Sequence, residues 1–172
     1  MSEIGDDAQA PGTASETEPA ADRDEIAGPL AGRHCAVAMV LSIEVALPNT
    51  HAVVTLREVD DPHRLFAIPV GVPDATSLAY VWRGVATPRP LTHQLFADVL
   101  VRLGTTIDAV WLTGRRAGVV LAELELSSPR GHETVPCRPT DALTLALRQG
   151  VPAPILVDER LFDSDGDVEP GQ

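Results

Sequence analysis

The pattern of apolar and polar positions changes character near residue 33. From there to residue 162 the apolar residues follow two rhythms, one of about two and one near 3.6, which belong to strands and helices. Residues 35–45 and 51–58 are apolar or β-branched runs separated by the turn sequence Leu47-Pro48-Asn49-Thr50, and 64–70 is a third such run. Together they predict a meander. Pro73-Asp74-Ala75 opens a helix to about residue 83, with proline in the first turn and an acid at the positive end. A second helix is expected over 91–103, stopped by Gly104, with Leu91, Leu95, Phe96, Val99, Leu100 and Leu103 on one half of its circumference. Residues 106–113 and 118–126 predict a hairpin around Gly114-Arg115-Arg116, and 133–137 a short strand. A third helix is expected over 139–149, capped by Gly150, and a last strand over 154–157. The expected class is α+β: a single compact domain with a mixed or antiparallel sheet and about three helices.

Outside these limits the pattern is lost. Residues 1–32 have no apolar period, and eight acids there face one base, Arg23. Such a segment cannot bury enough surface to offset its ordering entropy, so a disordered acidic tail is expected. Residues 163–172 read as a second acidic tail, which leaves 33–162 as the folded domain.

Composition narrows the chemistry. The 172-residue chain is 44% apolar but only 3% aromatic, so its core must be mostly aliphatic. All thirteen basic residues are arginine, which excludes a lysine-based phosphate loop, a Schiff-base lysine and a lysine nucleophile. The formal charge of −12 argues against bulk electrostatic binding of nucleic acid. That objection weakens for residues 33–162, where 12 arginines meet 13 acids. The first residues carry no basic and apolar leader, and the longest apolar run is too short to span a bilayer. A cytoplasmic protein with no membrane partner is the expectation. Cys35 and Cys137, far apart in sequence, read as free buried thiols. The five histidines have no zinc-binding spacing.

One local echo stands out: Arg89-Pro90-Leu91-Thr92-His93 and Arg138-Pro139-Thr140-Asp141 both place Arg-Pro at a helix opening. Free backbone N–H groups, the positive dipole end and a guanidinium fork together suit an anion.

These same residues carry a family resemblance. Arg89-Pro90-Leu91-Thr92-His93-Gln94-Leu95 is similar to the R-P-x-T-H-x-L segment of the bifunctional nuclease domain family. Arg138-Pro139-Thr140-Asp141-Ala142-Leu143-Thr144-Leu145-Ala146-Leu147-Arg148, with Val151-Pro152 after it, resembles that family's R-P-S-D-A-I-A-L-A-x-R…V-P segment. Val54-Thr55-Leu56-Arg57-Glu58 and Leu65-Phe66-Ala67-Ile68-Pro69-Val70-Gly71 resemble its V-x-L-x-E and L-P-I-x-I-G stretches. The similarity spans about residues 36–162. It implies a compact α+β domain, a homodimer, and cleavage of RNA and DNA. Three positions depart from the family pattern: Pro136 stands where an acid is usual, Asp74 replaces a glutamate, and Thr140 replaces a serine.

Weighed residue by residue, His93 is the candidate general base, acting on a water or a ribose 2′-OH, or else a side chain packed at the edge of the core. Asp141 is a candidate catalytic partner of His93, a metal ligand, or a plain helix-start acid. Arg89 and Arg138 are candidate phosphate clamps, or ties for their own turns. Asp141, Asp74 and Glu58 are the candidate oxygen ligands for Mg2+ or Mn2+. The leading reading is a nuclease-like domain that hydrolyses phosphodiester bonds of RNA or DNA. The alternative is a non-catalytic regulatory or interaction domain that binds an anionic ligand or a protein.

Overall fold

The structure, a computed structural model, describes residues 34–45 and 51–163. The chain divides into a unit of residues 1–32 and a unit of residues 33–172, and every described residue lies in the second. Both expected tails, apart from Asp163, and the Leu47–Thr50 turn lie outside the described residues.

The elements in chain order are β1 (Cys35–Val45), β2 (His51–Glu58), β3 (Leu65–Gly71), α1 (Val72–Trp82), α2 (Thr92–Arg102), β4 (Thr106–Arg116), β5 (Val119–Ser128), β6 (Gly131–Cys137), α3 (Pro139–Ala146), β7 (Ile155–Asp158) and α4 (Glu159–Asp163). The strands form a seven-stranded sheet in the order β3-β2-β1-β7-β4-β5-β6. Two antiparallel meanders, β1–β3 and β4–β6, are joined through β7, which runs antiparallel to β1 and parallel to β4. The sheet is therefore mixed and the class is α+β.

The period of two in the sequence explains which face is covered. Along β2, Ala52, Val54, Leu56 and Glu58 are buried, and along β5, Val120, Ala122 and Leu124 are. These alternate residues share one face of the pleat. On that face α1 and α3 pack on each other, α1 on β1–β3 and α3 on β4 and β5. Leu78 of α1 and Leu143 of α3 are fully buried in the resulting core.

Three details depart from the expected boundaries. The β4–β5 strands continue through Arg116, and the reversal occurs at Ala117-Gly118, where φ is 48° and 80°. Two successive positive-φ residues match the right-handed twist of a hairpin, and glycine accepts the second at no steric cost. Helix α3 stops at Ala146, because Arg148 and Gln149 donate their N–H groups to carbonyls three residues back, in a tighter turn. Helix α4 was not expected. It is too short to show a period, yet it buries Leu161 and Phe162, and Phe162 meets Phe66 edge-on at 6.1 Å. A larger departure concerns α2. It has the expected apolar stripe, but none of its residues is buried.

Candidate functional site

Three helix openings meet through their side chains. Helix α1 begins at Val72 after Gly71, with Asp74 as its third residue, and α3 begins at Pro139 after Arg138, with Asp141 as its third. In both helices proline occupies the first turn, where its missing N–H is no loss, and the acid faces the positive end of the dipole. His93 is the second residue of α2.

These side chains form one chain of contacts. His93 Nε2 lies 2.9 Å from Asp141 Oδ1. Arg138 grips the same carboxylate with both edges of its fork, Nε donating to Oδ2 at 2.8 Å and Nη2 to Oδ1 at 2.9 Å. Its remaining terminal nitrogen, Nη1, donates to Asp74 Oδ2 at 3.2 Å. One guanidinium therefore ties the first turns of α1 and α3 together. A second N–H on each terminal nitrogen stays available. The Arg138 side chain is 62% exposed, whereas those of His93 and Asp141 are 20% and 25% exposed. Base and carboxylate are thus sheltered beneath an arginine that faces solvent. An open cavity of about 260 Å³ lies alongside, lined by Asp74, Arg138, Pro139 and Thr140 and walled by Ile68 and Val120.

The electrostatics follow from the contacts. Burial works to raise the Asp141 carboxyl, but hydrogen bonds from Arg138 and His93 outweigh it and hold Asp141 below the usual carboxylate range. As a carboxylate, Asp141 accepts from Nε2–H of His93. That fixes the tautomer and leaves Nδ1 as the ring's acceptor.

The remaining candidates separate. Arg89 is exposed, and its guanidinium makes no hydrogen bond to this cluster. The Arg-Pro echo misled because the two prolines are not equivalent. Pro139 is the first residue of α3, but Pro90 precedes Leu91, the cap of α2, which sets Arg89 back from the helix end. Glu58 is also elsewhere. It closes the end of the β2–β3 ladder where Arg57 pairs with Leu65, while Gly71, which leads to Asp74, pairs with His51 at the other end. The separation is about 20 Å at ~3.4 Å per residue. Glu58 is buried and held by Arg64, with contacts of 2.9 Å and 2.8 Å, so it is a fold-stabilising ion pair rather than a ligand beside Asp74 and Asp141. Hydrogen bonding from Arg64 lowers its carboxyl against the opposing effect of burial.

For a divalent cation, the donor set does not fit as it stands. Arg138 lies between the two carboxylates a cation would need, and no group of three or more histidine, cysteine or acidic residues is placed to hold a metal among the described residues.

Residue matches decide the family. A model of the bifunctional nuclease domain matches residues 54–169 and so takes in all four clustered side chains. The chain belongs to the bifunctional nuclease domain family. It is also 33% identical over 133 residues to two uncharacterized proteins of Mycobacterium tuberculosis, MT1877 and Rv1829, with 77% of each chain covered. Within this domain the two Arg-Pro segments contribute His93 and the Arg138–Asp141 clasp to one site. The sequence had no signal that Asp74 and Asp141 share one guanidinium, since 64 residues separate Asp74 from Arg138. Their common place as third residue of a helix with proline in its first turn is visible only afterwards.

Proposed function

We propose that the domain hydrolyses phosphodiester bonds of RNA or DNA at the His93–Asp141–Arg138 cluster. The observation that carries this is the 2.9 Å contact of His93 Nε2 with Asp141, which orients the ring and frees Nδ1 as a base. His93 Nδ1 takes the proton from a water or a ribose 2′-OH while the oxygen attacks phosphorus. The resulting imidazolium is stabilised by the Asp141 carboxylate. Arg138, with its unused N–H donors, binds the phosphoryl oxygens and offsets the charge that builds on them. The bond from phosphorus to the leaving oxygen breaks, and that oxygen regains a proton from the imidazolium or from solvent.

Positive charge at this site comes from arginine. The Mg2+ or Mn2+ expected from the sequence would have to displace Arg138 to reach both Asp74 and Asp141, so no step here depends on it. The two free thiols, Cys35 and Cys137, support a cytoplasmic setting, where thiols stay reduced.

The test is cleavage of labelled single-stranded RNA and DNA by rigorously purified protein, beside folded His93→Ala and Asp141→Asn variants. Cleavage that co-purifies, is lost in His93→Ala and falls in Asp141→Asn supports the hydrolase. A second reading, a regulatory domain without catalysis, is favoured by the same Arg138 bonds, because they satisfy Asp74 and Asp141 without any ligand. Absent activity, or activity untouched by both substitutions, would select that reading.

A further inference from the structure

The cavity of about 260 Å³ beside Arg138 holds polar groups that the His93–Asp141–Arg138 cluster does not use. Thr140 lines it and is only 5% exposed. Its carbonyl accepts from Thr144 Oγ1, but its own hydroxyl bonds to no described residue. Asp74 lines the cavity too. Arg138 takes Oδ2 of that carboxylate, and Oδ1 accepts from no described residue. Sheltered polar groups in folded proteins normally have partners, so this hydroxyl and this oxygen call for a partner from outside the chain. Between them the walls are aliphatic, from Ile68, Val70, Val119 and Val120.

A ligand must satisfy all of these at once. The carboxylate repels a second phosphate and accepts from a neutral donor instead. The Thr140 hydroxyl can both donate and accept. Aliphatic walls suit the faces of a flat ring, as in pockets that receive an unstacked base. The volume lies just below that of pockets for drug-sized ligands, about 300–1,000 Å³, so it admits one base and not a stacked pair.

We propose that this cavity is a base subsite, in which Asp74 and Thr140 read the edge of an amino-bearing base, cytosine or adenine, while Arg138 holds the adjoining phosphate. Cytosine offers its N4 amino group beside the N3 acceptor, and adenine offers N6 beside N1. Asp74 Oδ1 accepts from the amino group, and the Thr140 hydroxyl donates to the ring nitrogen. Uracil turns a carbonyl oxygen toward Asp74 instead, which sets two acceptors against each other and leaves both unpaired. Asp74 and Thr140 therefore determine specificity and take no part in bond cleavage. The use of this subsite in cleavage rests on the hydrolase reading of the neighbouring cluster.

Mononucleotides test the subsite without turnover, because they contain no diester to cleave. Amide shifts of the isotope-labelled full chain are followed on titration with 3′-CMP against 3′-UMP, and with 3′-AMP against 3′-IMP. Each pair exchanges an amino group for an oxo group at the edge that is read. The amino members are expected to bind about tenfold more tightly or better, with the largest shifts at Gly118–Val120 and Thr140. Asp74→Asn keeps an oxygen for Arg138 but presents an amide that also donates, so its preference for 3′-CMP over 3′-UMP should shrink to within about threefold. Thr140→Val removes the hydroxyl at nearly constant shape and should weaken 3′-CMP by about threefold or more. Should either variant fail to fold, the wild-type comparison decides alone. No binding, equal affinity within each pair, or shifts that cluster elsewhere overturns the proposal. Selective binding by a chain that cuts no RNA keeps the subsite and removes the hydrolase reading, whereas RNA cleavage without selective binding removes the subsite alone.

Discussion

His93 Nε2 lies 2.9 Å from Asp141 Oδ1, across 48 residues of sequence and between two different helices. The pairing gives each residue a separable role. Removing the base by His93→Ala should lower kcat by about 10²–10⁴, the usual contribution of general base catalysis. Asp141→Asn should lower kcat by a smaller factor, because the ring remains but loses the acceptor that sets its tautomer. Single-turnover cleavage by the two variants, each checked by circular dichroism, measures both effects. Equal kcat in wild type and His93→Ala would sink the assignment.

Arg138 offers a sharper test, because lysine keeps its charge but loses its fork. A lysine ammonium cannot grip both Asp141 oxygens in plane and reach Asp74 as well. Arg138→Lys is therefore expected to cost about tenfold or more in kcat/KM, and Arg89→Lys close to nothing. Parallel kinetics on the two variants decide whether only one of the two Arg-Pro segments handles phosphate.

Acid should destabilise the fold through two carboxylates. Asp141 and Glu58 both titrate below their ordinary range in the folded protein. The unfolded chain therefore binds their protons first as pH falls. Their contribution to stability is complete above the ordinary carboxylate range, about pH 4, and disappears as pH drops through the folded values. Thermal melts from about pH 3 to 7 should show Tm falling at the acidic end. Asp141→Asn and Glu58→Gln should each flatten part of that slope.

Cleavage should be independent of added metal, and rate and product should differ between the two substrates. RNA carries its own nucleophile in the 2′-OH, and Arg138 supplies charge at the phosphate, so RNA cleavage is expected to persist in EDTA and to leave a 2′,3′-cyclic phosphate. DNA has no 2′-OH, so its cleavage at this site relies on a water activated by His93 and is expected to be slower than that of RNA and likewise to persist in EDTA. End-group analysis of RNA products made in EDTA checks the first half directly.

Cys137 should be a slow thiol. Burial first, then the Asp141 and Glu123 carboxylates, push it up to about 11, so very little thiolate exists at neutral pH. Alkylation at pH 7 should be far slower than for a free cysteine and should accelerate on unfolding. Fast labelling of the native protein would place Cys137 in a different environment.

Much of the fold was legible because it rests on local rhythm. The limits of β1 and β2 coincide with the apolar runs, and Pro73 and Pro139 mark the first turns of α1 and α3. What escaped was set by contacts distant in sequence. The stripe of α2 shows that an apolar face exists and says nothing of what covers it. Helix α4 is stabilised by Phe162 against Phe66, a partner 96 residues away. In the site, His93, Arg138, Asp141 and Asp74 were all visible as residue types suited to the chemistry. Their meeting was not, because α1 and α3 are far apart in sequence and are brought against each other by the strand order of the sheet beneath them. Glu58 was misplaced for the same reason: its neighbours in sequence suit a ligand, but the β2–β3 register carries it to the far end and gives it to Arg64.

The position of β7 has a consequence for how the molecule is made. The last of the described strands, four residues long, is the central strand of seven, and among the described strands it alone pairs with both meanders. Until Ile155–Asp158 leaves the ribosome, β1 and β4 each present an unpaired edge to any neighbouring strand. The sheet therefore closes only after its six other strands have been made, and a chain terminated before residue 155 should be an aggregating pair of hairpin sheets rather than a shortened domain.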